Sequence, residues 1–449
     1  MIQSLRRRAA IAVWLAAVAW LSAHIALAAS VQIISPSAGS ELNGAVKVTA
    51  RVAVQPGETL DQVMLQTSRG DRVRMAPEFA DTYAATLDTT ALRNGRQPLL
   101  VVASARGEDP SVLHPDRNAW QSTIRSWAAE IQVMVANPYH YYWGDLHAHT
   151  SYSDGAGLPK DAYAFARDRA RLDFFAVTDH SPLLTFDEYQ DVIAQAEQAN
   201  QPGRFAALWG FEATGPQGHI NFYMTSTPRL PSRLDALYQS AGEMGLVGHF
   251  NHPSVTTPPG AAFRNDFEGF RYVPAGDRAM AVVEVKNANQ EAAYIKLLDS
   301  GWHVGAAGCE DQHEQAWGMG KTWTVALAPA LTREAILEAL RSRRTYSTAD
   351  RNLELSFTVD GEDMGAQIAR PAGKLTCMVT VLDPDPDDIV DRIEWFLDGQ
   401  VVATIRPKLT KYVWAVPVEF PAGRHYCFVR VAQVGDRLTW SSPVWVSAY

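Results

Sequence analysis

The residues with the clearest chemical potential are histidines and carboxylates that recur just after short apolar runs. Of the 12 histidines in this 449-residue chain, seven stand in such places: His147, His149, His180, His219, His249, His252 and His313. Asp154, Asp179, Glu212 and Asp311 are interleaved with them. One histidine alone is more often a packed or surface residue, but packing does not explain repetition at equivalent places. Imidazole together with carboxylate suits zinc, iron or manganese better than calcium or magnesium. In His147-Ala148-His149, side chains two apart on a strand share one face, so both can reach one ion while Ala148 points away. Asp311-Gln312-His313 repeats that spacing. A carboxylate such as Glu212 can bridge two ions, one oxygen to each. Such a pair lowers the pKa of water towards neutrality and clamps attacking and leaving oxygens, which is hydrolytic chemistry. Glu212, Asp311 and His252 are the candidate catalytic groups among these.

The elements that must position them are legible from 137 to 349. Strand-like runs such as Phe174–Thr178, Phe205–Trp209, Ala281–Val285 and Val304–Ala307 alternate with helical stretches at 161–170, 187–200, 232–244, 290–300 and 332–343. Thr332 with Glu334 and Glu338 marks a capped, acid-first helix start. Alternating βα units predict a parallel sheet, and this many units a closed barrel. In a closed barrel, residues at the carboxyl ends of the strands meet at one face. That would gather ligands spread over about 170 positions.

The flanks read differently. Residues 30–136 alternate as half-buried strands do, as in Val46–Val54, with Asn94-Gly95 as a turn. Residues 350–449 return to that pattern, with Asp398-Gly399 as a hairpin turn. Both predict β-sandwiches resembling immunoglobulin-like modules. The order Cys377, Trp395, Cys427 is similar to the Cys…Trp…Cys pin of that fold. Cys377 and Cys427 would then be either a disulfide or two buried free thiols. Residues 1–29 read as a secretory signal peptide: Arg6, Arg7 and Arg8, an apolar run from Ala9 to Ile25, then Ala26-Leu27-Ala28 as a cleavage site. The expected location is periplasmic or extracellular, with no stable membrane span after cleavage. The fold class is thus multidomain α/β plus all-β. Net charge is −9, from 40 basic and 49 acidic residues, which offers no basic footprint for nucleic acid. The expected partner is a small-molecule substrate; oligomeric state is not readable.

Gly144-Asp-Leu-His-Ala-His-Thr-Ser-Tyr-Ser-Asp-Gly, Val177-Thr-Asp-His, His252-Pro and Asp311-x-His313, in that order, resemble the polymerase and histidinol phosphatase (PHP) superfamily. The resemblance covers about 137–350. It implies a distorted, TIM-like β/α barrel with two or three divalent transition-metal ions (Zn, Mn or Fe). One ion would take His147, His149, Glu212 and Asp311. A second would share Glu212 and take His219 and His252. A third would take Asp154, His180 and His313. His249 has no clear counterpart and would either support the ligands from behind or orient His252. The family's last motif, Gly-Ser-Asp-x-His, is here Gly308-Cys-Glu-Asp-Gln-His, one residue longer, so Glu310 competes with Asp311 as ligand.

The resemblance implies phosphoester hydrolysis, with Lys321 and Arg341, Arg343 and Arg344 as candidate cations for a phosphate, or else as surface charges. Asn251-His-Pro, Glu284-Val-Lys-Asn and the segment Leu331–Leu340 also look like a metallohydrolase subgroup that includes carbamate-pesticide hydrolases. That implies carbamate, carboxylester or amide cleavage as the alternative. Trp143, Trp209, Trp302, Trp317 and Trp323 would line an aromatic pocket or fill a core. A third reading is a non-catalytic cell-envelope binding protein.

Overall fold

The computed structural model describes residues 29–67, 72–89, 92, 95–108, 122–135, 139–256 and 264–449. Residues 1–28 of the expected leader at 1–29 lie outside the described residues, as does Asn94 of the Asn94-Gly95 turn. Among the described residues no helix is long and apolar enough to cross a membrane.

Two compact units divide the chain at Ala136 and Asn137. In the first, Ser30–Ser35, Ala45–Ala53, Thr82–Asp88 and Ala76–Phe79 make one sheet. Ser122–Val135, Gly95–Glu108 and Thr59–Thr67 form the body of another. The period-two pattern sets the faces: Val48, Ala50 and Val52 are buried while Lys47 and Arg51 face water. They share one core with Val63, Leu65, Leu99 and Val101 from the other sheet, which makes a β-sandwich.

The second unit is organised around nine strands. They are β1 (His140–Asp145), β2 (Phe174–Val177), β3 (Ala206–Gly215), β4 (Gly218–Tyr223), β5 (Val247–Phe250), β6 (Met280–Glu284), β7 (Gly305–Ala307), β8 (Trp323–Ala328) and β9 (Thr345–Thr348). The hydrogen-bonded order is β7-β6-β5-β4-β3-β2-β1-β8-β9. Helices α1 (Pro159–Asp168), α2 (Phe186–Ala199), α3 (Leu234–Glu243), α4 (Ala288–Asp299) and α5 (Arg333–Arg341) occur between strands, within one or two residues of most predicted bounds. Thr332 caps α5 by accepting the Ala335 amide, as its sequence position suggests.

The sheet is mixed, which corrects the expectation of a parallel one. Pairs β1–β2, β2–β3, β5–β6 and β6–β7 are parallel. Pairs β3–β4, β4–β5, β1–β8 and β8–β9 are antiparallel. The cause is a hairpin. β3 turns through Pro216 and Gln217 directly into β4, with no crossover helix, and a connection that short joins only antiparallel strands. β7 approaches β9 and β8 through side-chain hydrogen bonds. Thr345 Oγ1 donates to the Ala306 carbonyl (2.9 Å), and the Gly308 amide donates to Thr324 Oγ1 (3.1 Å). Gly308 is required there, since a Cβ would stand 2.5 Å from the Trp323 carbonyl oxygen.

At 349–350, where composition suggests a domain boundary, the ladder continues. β9 pairs with Arg437–Ser441, which leads on to Gly423–Gln433, Val390–Leu397 and Gln400–Ile405. A four-stranded sheet containing Glu354–Val359, Gly373–Leu382 and Lys411–Phe420 packs against this extension around Trp395. Asp398 (φ 48°) and Gly399 (φ 72°) both take positive φ in the tight turn between Leu397 and Gln400, as an Asp-Gly hairpin requires. Cys377 and Cys427 are buried in that core as free thiols, so the disulfide expectation is corrected to the second of its two readings. Burial, with Cys377 alongside, pushes the Cys427 thiol well up, which suits an inert apolar role.

Candidate metal centre

The leading end of the site is built by two short parallel segments. Just past β1, Ala148 forms a bridge with Gln312, and the His149 amide donates to the Gln312 carbonyl at 2.8 Å. His147-Ala-His149 and Asp311-Gln-His313 therefore run side by side. His180, after β2, makes a parallel bridge with Glu212 on β3. His219 enters from β4, and His252 follows β5.

Around His147 the spacing is that of a coordination sphere. His147 Nε2 lies 3.2 Å from Glu212 Oε1, 3.2 Å from Asp311 Oδ1 and 3.1 Å from His149 Nε2. His149 Nε2 lies 3.0 Å from Asp311 Oδ1 and 3.6 Å from Glu212 Oε2. Bonds of about 2.0–2.2 Å in a tetrahedral site put ligand atoms about 3.3–3.6 Å apart. The His149–Glu212 separation falls in that range, and the other four, at 3.0–3.2 Å, are slightly shorter. Glu212 Oε1 is also 3.3 Å from His219 Nδ1 and 3.4 Å from His252 Nε2. Beyond His149, Asp154 Oδ1 is 3.2 Å from His313 Nε2, and Asp154 Oδ2 is 3.5 Å from His180 Nε2. These groups fit metal binding: His147, His149 and Asp311 cluster, as do His147, Glu212 and His252, and likewise His149, Asp154, His180 and His313.

The neighbours of the imidazoles fix which nitrogens face inward. His147 Nδ1 donates to Glu284 Oε1 at 2.7 Å, and His313 Nδ1 donates to the Asp311 carbonyl at 2.8 Å. His149 Nδ1 donates to Ser153 Oγ at 3.3 Å, while that hydroxyl donates to Asp179 Oδ1 at 2.6 Å. Two imidazoles held in this way would aim Nε2 lone pairs at one another at 3.1 Å, so the point between them calls for a cation. A proton is one answer. Burial would lower the His147 pKa, but Asp311 and Glu212 hold it well above its ordinary value. Burial keeps His149 lowered, hence neutral and ready to ligate. Glu212 is held well below the carboxylate range: burial works to raise it, and the charge and hydrogen bonds of His147, with His180 and His219, overcome this. Glu212 Oε2 and Asp311 Oδ1 are nonetheless buried without an aligned hydrogen-bond donor, the condition of oxygens awaiting a metal. A divalent ion would satisfy all of these atoms at once.

The extra residue in Gly308-Cys-Glu-Asp is absorbed by a positive φ of 57° at Asp311. This aims Asp311 into the cluster and turns Glu310 away. Glu310 Oε1 accepts the Lys321 amide (2.9 Å), the Thr322 amide (2.8 Å) and Thr322 Oγ1 (2.6 Å). Lys321 falls to the second of its two readings, a surface charge. Its side chain is exposed, and its backbone amide makes the bond to Glu310. The other candidate cations are spent structurally. Arg343 Nε donates to the His303 carbonyl (2.7 Å), Arg341 Nη2 to the Gly245 carbonyl (3.1 Å), and Arg344 stacks on Tyr139. Of the tryptophans, Trp302 packs among Tyr238 and Phe250, and Trp317 Nε1 donates to the His149 carbonyl at 2.9 Å. They fill cores and brace ligands. His249 bonds the Tyr223 hydroxyl through Nδ1 (2.7 Å), and burial lowers its pKa to about 3.

Two supporting residues, Glu284 and Asn251, escape a search for ligands, and a third, Asp179, supports the site from behind. Glu284, fully buried at the end of β6, accepts from His147 and, through Oε2, from the His252 amide at 2.9 Å. Its pKa is lowered to about 2 because the His147 hydrogen bond and charge outweigh burial. A charged residue closing an otherwise apolar run was the available signal. Asn251 Nδ2 donates to Glu212 Oε1 at 2.7 Å. Asp179 accepts the Thr150 amide and hydroxyl, both at 2.7 Å, and so pins the loop that carries Asp154.

No family model matches the chain. An uncharacterized protein of Chlamydia muridarum is 22% identical over 374 residues, covering 71% of this chain and 59% of its own length. One of Chlamydia trachomatis is 20% identical over 378 residues with the same coverage. The chain thus spans about 59% of the length of the curated relatives it matches. Among solved structures, a two-domain protein from Bacteroides vulgatus, described as containing a predicted PHP-like metal-dependent phosphoesterase, is 18% identical. It covers 68% of this chain and 96% of its own, with a TM-score of 0.39.

Proposed function

We propose that the chain is a PHP-type metal-dependent hydrolase that cleaves phosphoester bonds at a centre of two or three transition-metal ions carried on a TIM-like β/α barrel. One observation carries this reading: His147, His149, Glu212 and Asp311 converge with ligand-atom spacings of 3.0–3.6 Å. His219 and His252 on Glu212 would hold a second ion, and Asp154, His180 and His313 a third. Ions bound there would polarise a substrate oxygen and bring the pKa of water towards neutrality. The chain's own part is to fix ligand orientation through Glu284, Ser153 and Asn251, and to keep Glu212 charged in a buried place.

Carbamate, carboxylester or amide cleavage at the same centre is the second reading. It is favoured by the structural employment of Arg341, Arg343 and Arg344 and the outward position of Lys321, which leave a phosphate without those partners. Chelated protein is expected to lose turnover, and Mn²⁺, Fe²⁺ or Zn²⁺ to restore it. The panel is p-nitrophenyl phosphate, a phosphodiester, p-nitrophenyl acetate and a naphthyl carbamate. Restored turnover confined to the acetate or carbamate would replace the phosphoester reading by the second. No bound metal in natively purified protein, with no turnover at all, would leave a binding protein instead.

Export belongs to the proposal and is supported by Arg6–Arg8, the apolar run and Ala26-Leu27-Ala28. N-terminal sequencing of protein from the native host is expected to begin just after Ala28; an intact Met1 in a cytosolic fraction would refute it.

A further inference from the structure

Three arginines away from the metal centre share one concavity and lack a countercharge. Arg169 and Arg171 flank Ala170 in the turn from α1 to β2, and Arg351 follows β9. With Trp143, Ala170 and Asp173 they line a space of about 450 Å³. Arg351 Nη2 donates to the Ala170 carbonyl, which brings its guanidinium to the residue between the other two. The same guanidinium lies over the Trp323 ring, 5.1 Å from its centre, so it is held from two sides. Among the described residues, none of the three arginines forms an ion pair. Other arginines of this unit do so: Arg430 with Glu291 and Glu394, Arg437 with Asp350 and Asp388. Asp173, the carboxylate of the lining, is engaged elsewhere, since its Oδ2 accepts the Trp143 amide at 2.8 Å. Partial burial lowers the pKa of Arg351, and no neighbouring charge restores it. A cation drawn partly out of water without a partner is unfavourable until an anion arrives. Trp143 adds a further donor, because its indole Nε1 is buried without an acceptor.

We propose that this concavity binds a phosphoryl group, free or carried on a small molecule. A phosphoryl group presents three strong acceptor oxygens, one for each guanidinium, whereas a carboxylate presents two. The space exceeds what a bare ion needs and lies within the roughly 300–1,000 Å³ of small-molecule sites, so a body attached to the phosphoryl group has room. Asp173 precedes β2 and His180 follows it, so the whole strand, about 13 Å, separates this place from the candidate ligands. The site is therefore distinct from the metal centre, and the proposal does not rest on the hydrolase reading.

Isothermal titration of the full-length protein at constant ionic strength tests it, as purified and after chelation. The probes are inorganic phosphate, glycerol 3-phosphate and succinate. Chelation removes phosphate binding at metals and stops turnover of the ester. We expect one phosphate site per chain that survives chelation, with succinate weaker by about tenfold or more. The double variant Arg169→Gln, Arg171→Gln changes two exposed side chains and should weaken phosphate by about tenfold or more. Arg351→Lys keeps the charge but loses the planar fork, and should also weaken it. Tighter binding of glycerol 3-phosphate than of phosphate would assign a carried phosphoryl group, and the reverse order the free ion; either supports the site. Loss of all phosphate binding on chelation overturns it. So does succinate that binds as tightly as phosphate, or full phosphate affinity in both the double variant and Arg351→Lys.

Discussion

Substitution of Glu212 by Gln is expected to strip transition metal from the protein and to lower kcat by at least about 10²-fold, the upper end of what losing a ligand's hydrogen-bond partner costs at metal sites. Glu212 is more than such a partner. Its two oxygens face five imidazoles: Oε1 those of His147, His219 and His252, Oε2 those of His149 and His180. Gln keeps the shape and the Asn251 contact but removes the buried charge. It also turns one ligating oxygen into an NH₂ that cannot bind a cation. Two of the three ion positions proposed above share Glu212, so both should empty, while the Asp154–His180–His313 group retains its donors. Metal per chain by plasma mass spectrometry, read with kcat for the most active panel substrate, checks this. A variant with wild-type metal content and wild-type kcat would mean that Glu212 is no bridge.

The site was more legible in the sequence than the sheet that carries it. Candidate ligands at strand ends announce themselves because an apolar run that stops at His or Asp has few packing explanations. His147, His149, Glu212 and Asp311 stood out for that reason. Direction of pairing leaves no such mark. Gly218–Tyr223 is buried along its whole length, as a parallel strand would be, so nothing in its composition marks it as the returning arm of a hairpin. The continuous ladder from Thr345–Thr348 into Arg437–Ser441 is equally silent, since partners about 90 residues apart share no local pattern. Glu284 was hidden in its apolar run, and its role depends on His147, 137 residues earlier. Lys321 left two readings open because charge near a motif says nothing about where a flexible side chain points. At Asp398-Gly399, by contrast, backbone chemistry alone dictates the turn, and there sequence and structure coincide.

The pair Glu310 and Asp311 should separate holding a metal from holding a loop. Asp311→Ala is expected to lose metal and at least about 10² in kcat, with a small change in the metal-free protein's stability. Asp311 Oδ1 faces two imidazoles, and removing it also removes the main charge that holds His147 protonated when no metal is bound. Ala tolerates a positive φ no better than Asp, so the backbone is not relieved; what offsets the lost contact is removal of a buried oxygen without an aligned donor. Glu310→Ala should do the reverse. Its Oε1 collects three donors at the start of β8, two of them backbone amides, and their loss should cost about 1–3 kcal/mol of stability, since amides left without an acceptor bear their desolvation. Metal content should stay near wild type, because Asp311 still projects inward. Gly320→Ala is a second route to the same loop, as its Cβ would fall 1.9 Å from Glu310 Cγ and force that side chain out. Thermal unfolding with and without chelator, alongside metal analysis, reads both axes. If Glu310→Ala empties the site and Asp311→Ala does not, the extra residue in the motif has moved the ligand one position upstream, and the cluster geometry is not that of the metal-bound protein.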